Sequence, residues 1–454
     1  MADNSLANNS LADNPLMIET VKRPRVVAAS PIAARAEDAP QPRLHLDYID
    51  GLRFALAFWV LLSHDWSKAW PAMYGLRPSG LILTLTDWME YAHLAVSVFI
   101  VVSGFCLMLP VLRAGGQLRG GAWTFLTRRA LRILPPYYAA VGITLLLIWR
   151  VFPAYSGSNF DGGLPVTAPI IGWHLLLLQD ILAPYKISGV LWSIAVEWRI
   201  YFLFPPLLAL RRWLGQYGRL AGELPLLVVA LAAVFVAVTV LPALPTLSPL
   251  IAALISAIPM LTIPWLGFAP TYVALFIVGM LAATLATPSP RQSLVSAARA
   301  TWARDHVPWG LAALAMSLLL VALVWAWGGN EATLSTNQWS ALDVLAGSAG
   351  ASLLIAGASR TRGGELTRRV LGWKPLATLG GAAYSIYLMH NTFQQVVYVF
   401  IARPLTSHGT LQFAILVAST PLVLGACWLF YLACERPCIA LLRRRPKHEA
   451  RALA

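Results

Sequence analysis

The sequence has few charged residues. Only 12% of its 454 residues are Asp, Glu, Lys or Arg, whereas soluble globular domains have about a quarter. Hydrophobic residues make up 58% of the chain, and the mean hydropathy is +0.65. This composition excludes a soluble enzyme and a single-pass receptor. It predicts a polytopic membrane protein, with room for about ten helices at ~20 residues per span.

Cysteine and acidic residues are also scarce. The four cysteines lie in apolar stretches without the spacing of a zinc site or a disulfide framework, so we expect no metal or redox role for Cys106, Cys427, Cys434 and Cys438. Lys and Arg number 34 against 20 Asp and Glu, which gives a net charge of +14. The basic residues fall in short loops between apolar runs, a pattern that indicates membrane topology rather than nucleic-acid binding.

The apolar runs predict an all-α fold, a polytopic membrane helical bundle. About ten transmembrane helices are expected, at 50–67, 91–112, 133–152, 189–210, 223–243, 268–287, 307–327, 339–359, 376–402 and 410–434. Residues 246–266 are apolar but carry Pro249, Pro259 and Pro264, and we interpret them as a re-entrant or interfacial segment. The short run at 170–182 is interpreted in the same way.

Three regions are predicted along the chain. Residues 1–44 contain a five-residue repeat and then Ala/Pro/Arg-rich sequence, which favours a disordered cytoplasmic tail. Residues 45–435 form the membrane domain, and residues 436–454 form a basic cytoplasmic tail. If the N-terminus is cytoplasmic, most loop arginines and lysines lie on that side, and only a few, such as Lys68, lie outside. The positive-inside rule therefore places both termini in the cytoplasm.

Ionisable residues inside predicted spans are costly and are therefore candidate functional residues. Arg53 and His64 are eleven residues apart on the first predicted helix, which puts them on one face about 16 Å apart. We interpret this face as the wall of a common cavity. The alternatives are that Arg53 is a snorkelling anchor and that His64 is a polar packing residue. Glu197 lies about two turns into the fourth predicted helix, at a depth expected to match that of His64.

Further candidates come from the third and ninth predicted helices. His390 lies near the middle of the ninth helix, where it has either a functional or a structural role. Asp65, adjacent to His64, is a lesser candidate. Arg129 and Arg132 open the third helix on the cytoplasmic side. They form either a stop-transfer charge cluster or a phosphate site, because guanidinium groups suit phosphate oxygens.

Five motifs in order along the chain resemble those of the acyltransferase-3 family of integral membrane acyltransferases. They are 49–53, similar to "LDGLRG" with an Arg-x10-His pattern on Arg53 and His64; 99–105, similar to "FFxLSGF"; the RxxR pair Arg129 and Arg132; 191–197, similar to "LWSLSVE"; and 384–390, similar to "SYSIYLxH". The chain departs from the family at Trp198, where a second carboxylate often follows the glutamate.

The resemblance implies transfer of an acyl group, commonly acetyl, from cytosolic acyl-CoA (acetyl-CoA) to a hydroxyl of a saccharide or glycolipid at a bacterial plasma membrane. It implies His64 as the catalytic residue, either a general base or an acyl carrier. Glu197 or His390 would orient it or bind the acceptor. Arg53, Arg129 and Arg132 would bind the CoA donor. We expect no tightly bound cofactor and no nucleic-acid partner.

Two alternatives belong to other functional classes. A polysaccharide or lipid exporter would also need polar residues along a path through the helices, although the two halves of the chain show no repeat. A glycosyltransferase with a polyprenyl-phosphate donor would need a carboxylate near the first outer loop, where Asp65, Asp87 and Glu90 lie. Dependence on CoA distinguishes an acyltransferase from an exporter, which leaves its substrate chemically unchanged.

Overall fold

The computed structural model describes most of the membrane domain, over residues 47–182, 185–215, 226–232, 270–287, 294–328 and 333–444. Within these ranges the chain is helical and has no β-strand, as predicted. The predicted tail at 1–44, the segment at 246–266 and most of the predicted helix at 223–243 lie outside the described residues.

The bundle is built from helices whose apolar sequences bury side chains against each other or face lipid. The principal helices are α1 (Asp47–Ala69), α2 (His93–Arg113), α3 (Gly121–Arg150), α4 (Trp192–Gly215), α5 (Pro270–Ala286), α6 (Trp309–Ala326), α7 (Thr336–Ala358), α8 (Ala383–Val397), α9 (Gly409–Ala418) and α10 (Thr420–Phe430). Helices suit this environment because all their backbone hydrogen bonds are made within the segment.

Six helical stretches of the described residues are long and apolar enough to cross a membrane. They are Gly80–Arg113, Gly121–Arg150, Trp192–Gly215, Trp309–Ala326, Asn337–Ala358 and Thr420–Leu442. Each coincides with a predicted span, and together they make the protein a multi-pass membrane protein. The total of ten crossings stays a prediction, because α1, α5 and α8 are helices that are too polar or too short to meet the same criterion.

Short helices connect the principal ones. They are Ala72–Tyr74, Gly80–Thr86, Asp87–Ala92, Asn159–Gly163, Ala168–Leu175, Gln179–Leu182, residues 226–232, Leu294–His306, Arg362–Leu371, Lys374–Gly380, Arg403–Leu405 and Arg436–Arg444, with π-helical turns at Tyr398–Ala402 and Tyr431–Glu435. The run at 170–182 is thus occupied by two helices of eight and four residues, too short to span a membrane.

The third helix is longer than predicted. It begins at Gly121 instead of residue 133, so Arg129 and Arg132 lie inside α3 and not at its start. Hydropathy detects the apolar part of a helix, whereas the backbone hydrogen bonds extend through its polar N-terminal turns. Both arginines therefore occupy defined positions on a regular helix.

The last two predicted helices are interrupted. The prediction at 376–402 divides into Lys374–Gly380, α8 and a π-helical turn. The prediction at 410–434 divides into α9, α10 and a second π-helical turn, and the chain continues as a helix through Arg436–Arg444, inside the predicted basic tail. Such π-helical turns are frequent at functional sites, and the second one ends at a buried glutamate, Glu435.

Two glycines allow a close crossing of α2 and α5. A Cβ atom on Gly104 would lie 2.1 Å from the carbonyl oxygen of Phe276, and one on Gly279 would lie 2.1 Å from that of Val101. Small residues let helix backbones approach closely in membranes, where packing contributes much of the association energy. The crossing positions α2, which carries part of the site described below.

Replacing Gly104 with alanine should destabilise the bundle. The added methyl group has no room against the α5 backbone, and we expect the free energy of unfolding to fall by about 1–3 kcal/mol. Thermal unfolding in detergent measures this. Gly142→Ala on α3 is the matched control, because its Cβ would meet nothing within 4 Å. A Gly104→Ala protein that melts at the wild-type temperature would contradict the close crossing.

Candidate active site

A cavity of about 320 Å³ lies beside the C-terminal half of α1, where α2, α4 and α8 contribute to its wall. Ser63 and His64 line it from α1, and Tyr387 and Asn391 line it from α8. Trp192, the first residue of α4, adds an aromatic face. A concave wall with aromatic surfaces and a few polar groups is typical of a small-molecule binding site.

The fold brings together two of the candidate histidines, His64 of α1 and His390 of α8. Their ring centroids are 5.2 Å apart. His390 is fully buried, and its Nδ1 is 2.9 Å from the carbonyl oxygen of Ile386. A carbonyl oxygen can only accept, so Nδ1 of His390 is the donor and Nε2 carries the lone pair.

One nitrogen of each ring has no hydrogen-bond partner among the described residues. These atoms, Nδ1 of His64 and Nε2 of His390, are both buried. Buried polar atoms of this kind are rare, and a hydrogen bond from His64 Nδ1 to His390 Nε2 would satisfy both. In that tautomer Nε2 of His64 carries a lone pair, as a general base requires, on a ring that lines the cavity.

The residues near this pair include Lys68, which the hydropathy pattern predicts in an outer loop. That interpretation is wrong, since Lys68 lies in the last turn of α1 and is 0% exposed. Its ammonium group donates to Asn391 Oδ1 and interacts with Asp65, one turn earlier and 1% exposed. A buried lysine is tolerated where a carboxylate compensates its charge, and the three-residue spacing from Asp65 was the available signal.

These contacts hold α1 against α8. Besides the bond from Lys68 to Asn391, Gln394 Nε2 donates to the carbonyl oxygen of Leu61 at 2.8 Å. On α1 the two contacts lie on either side of His64, and on α8 both lie within four residues after His390. They fix the distance between α1 and α8, and therefore the separation of the two rings.

Glu197 lies near arginines and not in contact with the histidine pair. Its Oε1 accepts hydrogen bonds from Ser103 Oγ at 3.3 Å and from the Tyr201 hydroxyl. Arg53 and Arg129 both interact with it electrostatically. A carboxylate in surroundings of low dielectric constant is stabilised by adjacent cations, and the arginines supply them.

We call Arg53, Arg129 and Arg132 the arginine cluster. The guanidinium of Arg129 lies over the rings of Phe125 and Tyr201, 5.7 and 6.0 Å from their centroids. Arg132 lies one turn further along α3 and interacts electrostatically with Arg129. Arg53 does not line the cavity that His64 lines. The expected common cavity is therefore divided into a histidine cavity and an arginine cluster.

Carboxylates accompany the arginine cluster. Arg53 Nη1 donates a hydrogen bond to Asp50 Oδ1 at 3.2 Å. Glu435 interacts electrostatically with Arg132 and Arg53. Glu435 is 1% exposed and accepts from the backbone N and the hydroxyl of Ser385, at 3.2 and 2.6 Å. Its position beside the basic tail is typical of a solvated residue, so the sequence pattern does not indicate that it is buried.

One face of α8 connects the two groups. Tyr384 interacts electrostatically with Glu197 at the arginine cluster. One turn further, the Tyr387 hydroxyl lies 2.7 Å from Ser193 Oγ and lines the histidine cavity. His390 follows after another three residues. The two groups are therefore neighbours along a single helix face.

A family model described as an acyltransferase domain matches residues 46–432, which is most of the chain. The chain belongs to the acyltransferase-3 family. No curated protein and no solved structure matches it. The protein is therefore a membrane acyltransferase, and membership of this family sets aside the exporter and glycosyltransferase alternatives.

Other ionisable residues of this acyltransferase have structural partners. Arg199 forms an ion pair with Asp180 of the short helix Gln179–Leu182. His174 lies between two backbone carbonyl oxygens, those of Ile170 at 2.8 Å and Lys186 at 3.0 Å. We assign these groups to the folding of the loop before α4 and not to catalysis.

Removing the Lys68 charge should destabilise the acyltransferase. Lys68→Met leaves the Asp65 carboxylate buried without its cation, a change that costs about 3–5 kcal/mol. The double variant Lys68→Met/Asp65→Asn removes both charges and should recover most of this loss. Denaturant unfolding in detergent measures the free energy of each protein. Lys374→Met, at an exposed lysine, is the control, and a double variant no more stable than Lys68→Met would contradict the pairing.

Proposed function

We propose that this acyltransferase transfers an acyl group, in the simplest case acetyl, from cytosolic acyl-CoA to a hydroxyl of a saccharide or glycolipid outside a bacterial plasma membrane. The observation that carries the proposal is that His64 lines the cavity with His390 beside it, the two ring centroids being 5.2 Å apart. The arginine cluster, whose Glu197 interacts with Tyr384 on the same face of α8, supports a separate position for the donor.

In this mechanism His64 is the base. Its Nε2 takes the proton of the acceptor hydroxyl as the oxygen bonds to the acyl carbonyl carbon, and the proton then leaves with the CoA thiolate when the C–S bond breaks. His390 is a positioning residue. Because its Nδ1 is bound to the Ile386 carbonyl, its Nε2 is available to accept from His64 Nδ1, a bond that would hold the reactive tautomer. The alternative role, acyl carrier, uses the same Nε2 as a nucleophile.

The cavity wall supports a saccharide as the acceptor. A sugar ring has hydroxyls at its edge and apolar C–H faces. The wall offers serine hydroxyls and the amides of Asn159 and Asn391 to the hydroxyls, and the rings of Trp192 and Phe160 to the faces. At about 320 Å³ the cavity has space for one sugar unit and a short acyl group.

The arginine cluster supports binding of the CoA phosphates. Guanidinium groups form strong charge-assisted bonds to phosphate oxygens, and Nε of Arg129 is buried without a partner among the described residues. Asp50 and Glu197 already neutralise part of this positive charge. The phosphates therefore have to compete with carboxylates, which favours moderate donor affinity and release of CoA after transfer.

The distribution of basic residues supports the orientation. With both termini in the cytoplasm, the N-terminal half of α1 carries Arg53 near the inner surface, and its C-terminal half carries His64 towards the outer one. The donor then enters from the side that contains acyl-CoA. The acceptor enters from the outside, where surface glycans are found.

His64→Ala should abolish the acyltransferase activity. We expect purified protein in detergent to release CoA from acetyl-CoA, and loss of the base to slow this by about 10²–10⁴-fold with little change in melting temperature. His306→Ala, at an exposed histidine, is the control and should retain full activity. Wild-type rates in His64→Ala would rule out the mechanism.

Arg129→Ala and Arg132→Ala should weaken donor binding more than turnover. A charge-assisted phosphate contact is worth about 1.5–3 kcal/mol, so each change should raise KM for acetyl-CoA roughly tenfold or more. Arg128→Ala, at the exposed neighbour, should leave KM unchanged. If all three variants have the wild-type KM, the arginines set only the membrane topology.

A further inference from the structure

A second histidine lines the cavity from α2. His93 is the first residue of α2, and its side chain is 30% exposed. Its Nε2 is 3.6 Å from Oδ1 of Asp343 on α7 and 2.9 Å from the Tyr272 hydroxyl on α5. Two oxygens on neighbouring helices thus converge on one ring nitrogen.

The buried carboxylate of Asp343 needs a neighbouring cation. It is 6% exposed and lies in α7, whose start is set by the capping box of Ser335 and Gln338. Ser97 Oγ donates one hydrogen bond to Oδ1 of Asp343. One neutral donor is little compensation for a carboxylate inside a membrane protein. Within the described part of the chain, the ion-pair partner of Asp343 is His93.

Aromatic rings hold the His93 imidazole in place. It stacks on Trp192 with centroids 5.5 Å apart and planes at 10°, and Trp339 meets it edge-on at 5.3 Å. Tyr272 lies on a further side, with ring centroids 6.2 Å apart. Aromatic faces stabilise cations. The surroundings of His93 therefore favour an imidazolium with a defined orientation.

Negative charge develops on the acyl carbonyl oxygen during acyl transfer, and a hydrogen-bond donor or a cation beside that oxygen stabilises it. In the proposed mechanism His64 takes up a proton and His390 orients it, so neither begins the step with a positive charge. The arginines of the cluster do not line the cavity, and neither does Lys68.

We propose that His93, held as an imidazolium by Asp343, stabilises the oxyanion of the tetrahedral intermediate in the His64 cavity. This rests on the proposed function and adds a second catalytic residue to it. The acceptor proton moves to His64 Nε2, the new C–O bond forms, and the carbonyl electron pair moves to the oxygen beside His93. Collapse breaks the C–S bond, and the thiolate takes the proton from His64. His93 keeps its proton throughout.

The test uses purified full-length protein in detergent, with acetyl-CoA as the donor and water as the acceptor. His93→Ala should lower kcat about 10²-fold and leave KM for acetyl-CoA nearly unchanged. Added imidazole should restore part of the turnover, because it fills the vacated position beside Trp192. A second variant, Asp343→Asn, changes an acid to an amide. Its control is Glu365→Gln, at an exposed carboxylate of the helix Arg362–Leu371.

Asp343→Asn removes the negative charge without changing the packing, since the amide side chain has the same size and still accepts a hydrogen bond from Ser97. An active imidazolium makes the wild-type rate fall at high pH. Asp343→Asn should move this alkaline limb to lower pH and leave the acid limb, which belongs to His64, in place. The titratable groups nearest His93 are Asp343 on α7 and Tyr272 on α5. The same cavity is lined by Glu90, which pairs with Arg77, and by Tyr185, His64 and Tyr387.

The outcomes distinguish this inference from the proposed function. Wild-type protein that leaves acetyl-CoA intact would overturn both. Wild-type hydrolysis with an unchanged kcat in His93→Ala, or with an unshifted alkaline limb in Asp343→Asn, would overturn only the role of His93. A rise in KM without loss of kcat would also overturn it. If Asp343→Asn fails to fold, rescue of His93→Ala by imidazole decides.

Discussion

Lipid offers no partners to polar groups, so every charge inside the bundle has to be compensated by another part of the same chain. This constraint accounts for the arrangement of α1 and its neighbours. Lys68 is buried beside Asp65 and bonded to Asn391, and these contacts align α1 with α8. The same requirement draws Glu197 to Arg53 and Arg129, at a distance from the histidine pair.

Two separate groups of candidate functional residues therefore lie along α1 and α8. The C-terminal half of α1 carries His64 at the cavity, with His390 of α8 beside it, and the N-terminal parts of both helices lie near the arginine cluster. A donor from one side of the membrane and an acceptor from the other would thus meet along one helix face. Tyr387, which lines the cavity and interacts electrostatically with Glu197, lies between the two groups.

Some of the buried polar atoms that lack a hydrogen-bond partner belong to residues to which we assign chemistry. His64 Nδ1, His390 Nε2 and Arg129 Nε are buried without partners among the described residues. A stable fold rarely leaves such atoms unpaired, and active sites are where locally unfavourable arrangements are retained. Lys68 and Asp343, by contrast, have charged or polar neighbours that account for their burial.

Composition and hydropathy by themselves determined that the chain is an α-helical membrane protein, and its ordered motifs determined the family. The eleven-residue spacing of Arg53 and His64 determined a shared helix face, because helical periodicity is a local property. Only the tertiary structure decided which residue His64 meets, that Glu435 joins the arginine cluster, and that His93 pairs with Asp343. These contacts join helices far apart in the sequence, and they depend on which helices pack together, which no local pattern specifies.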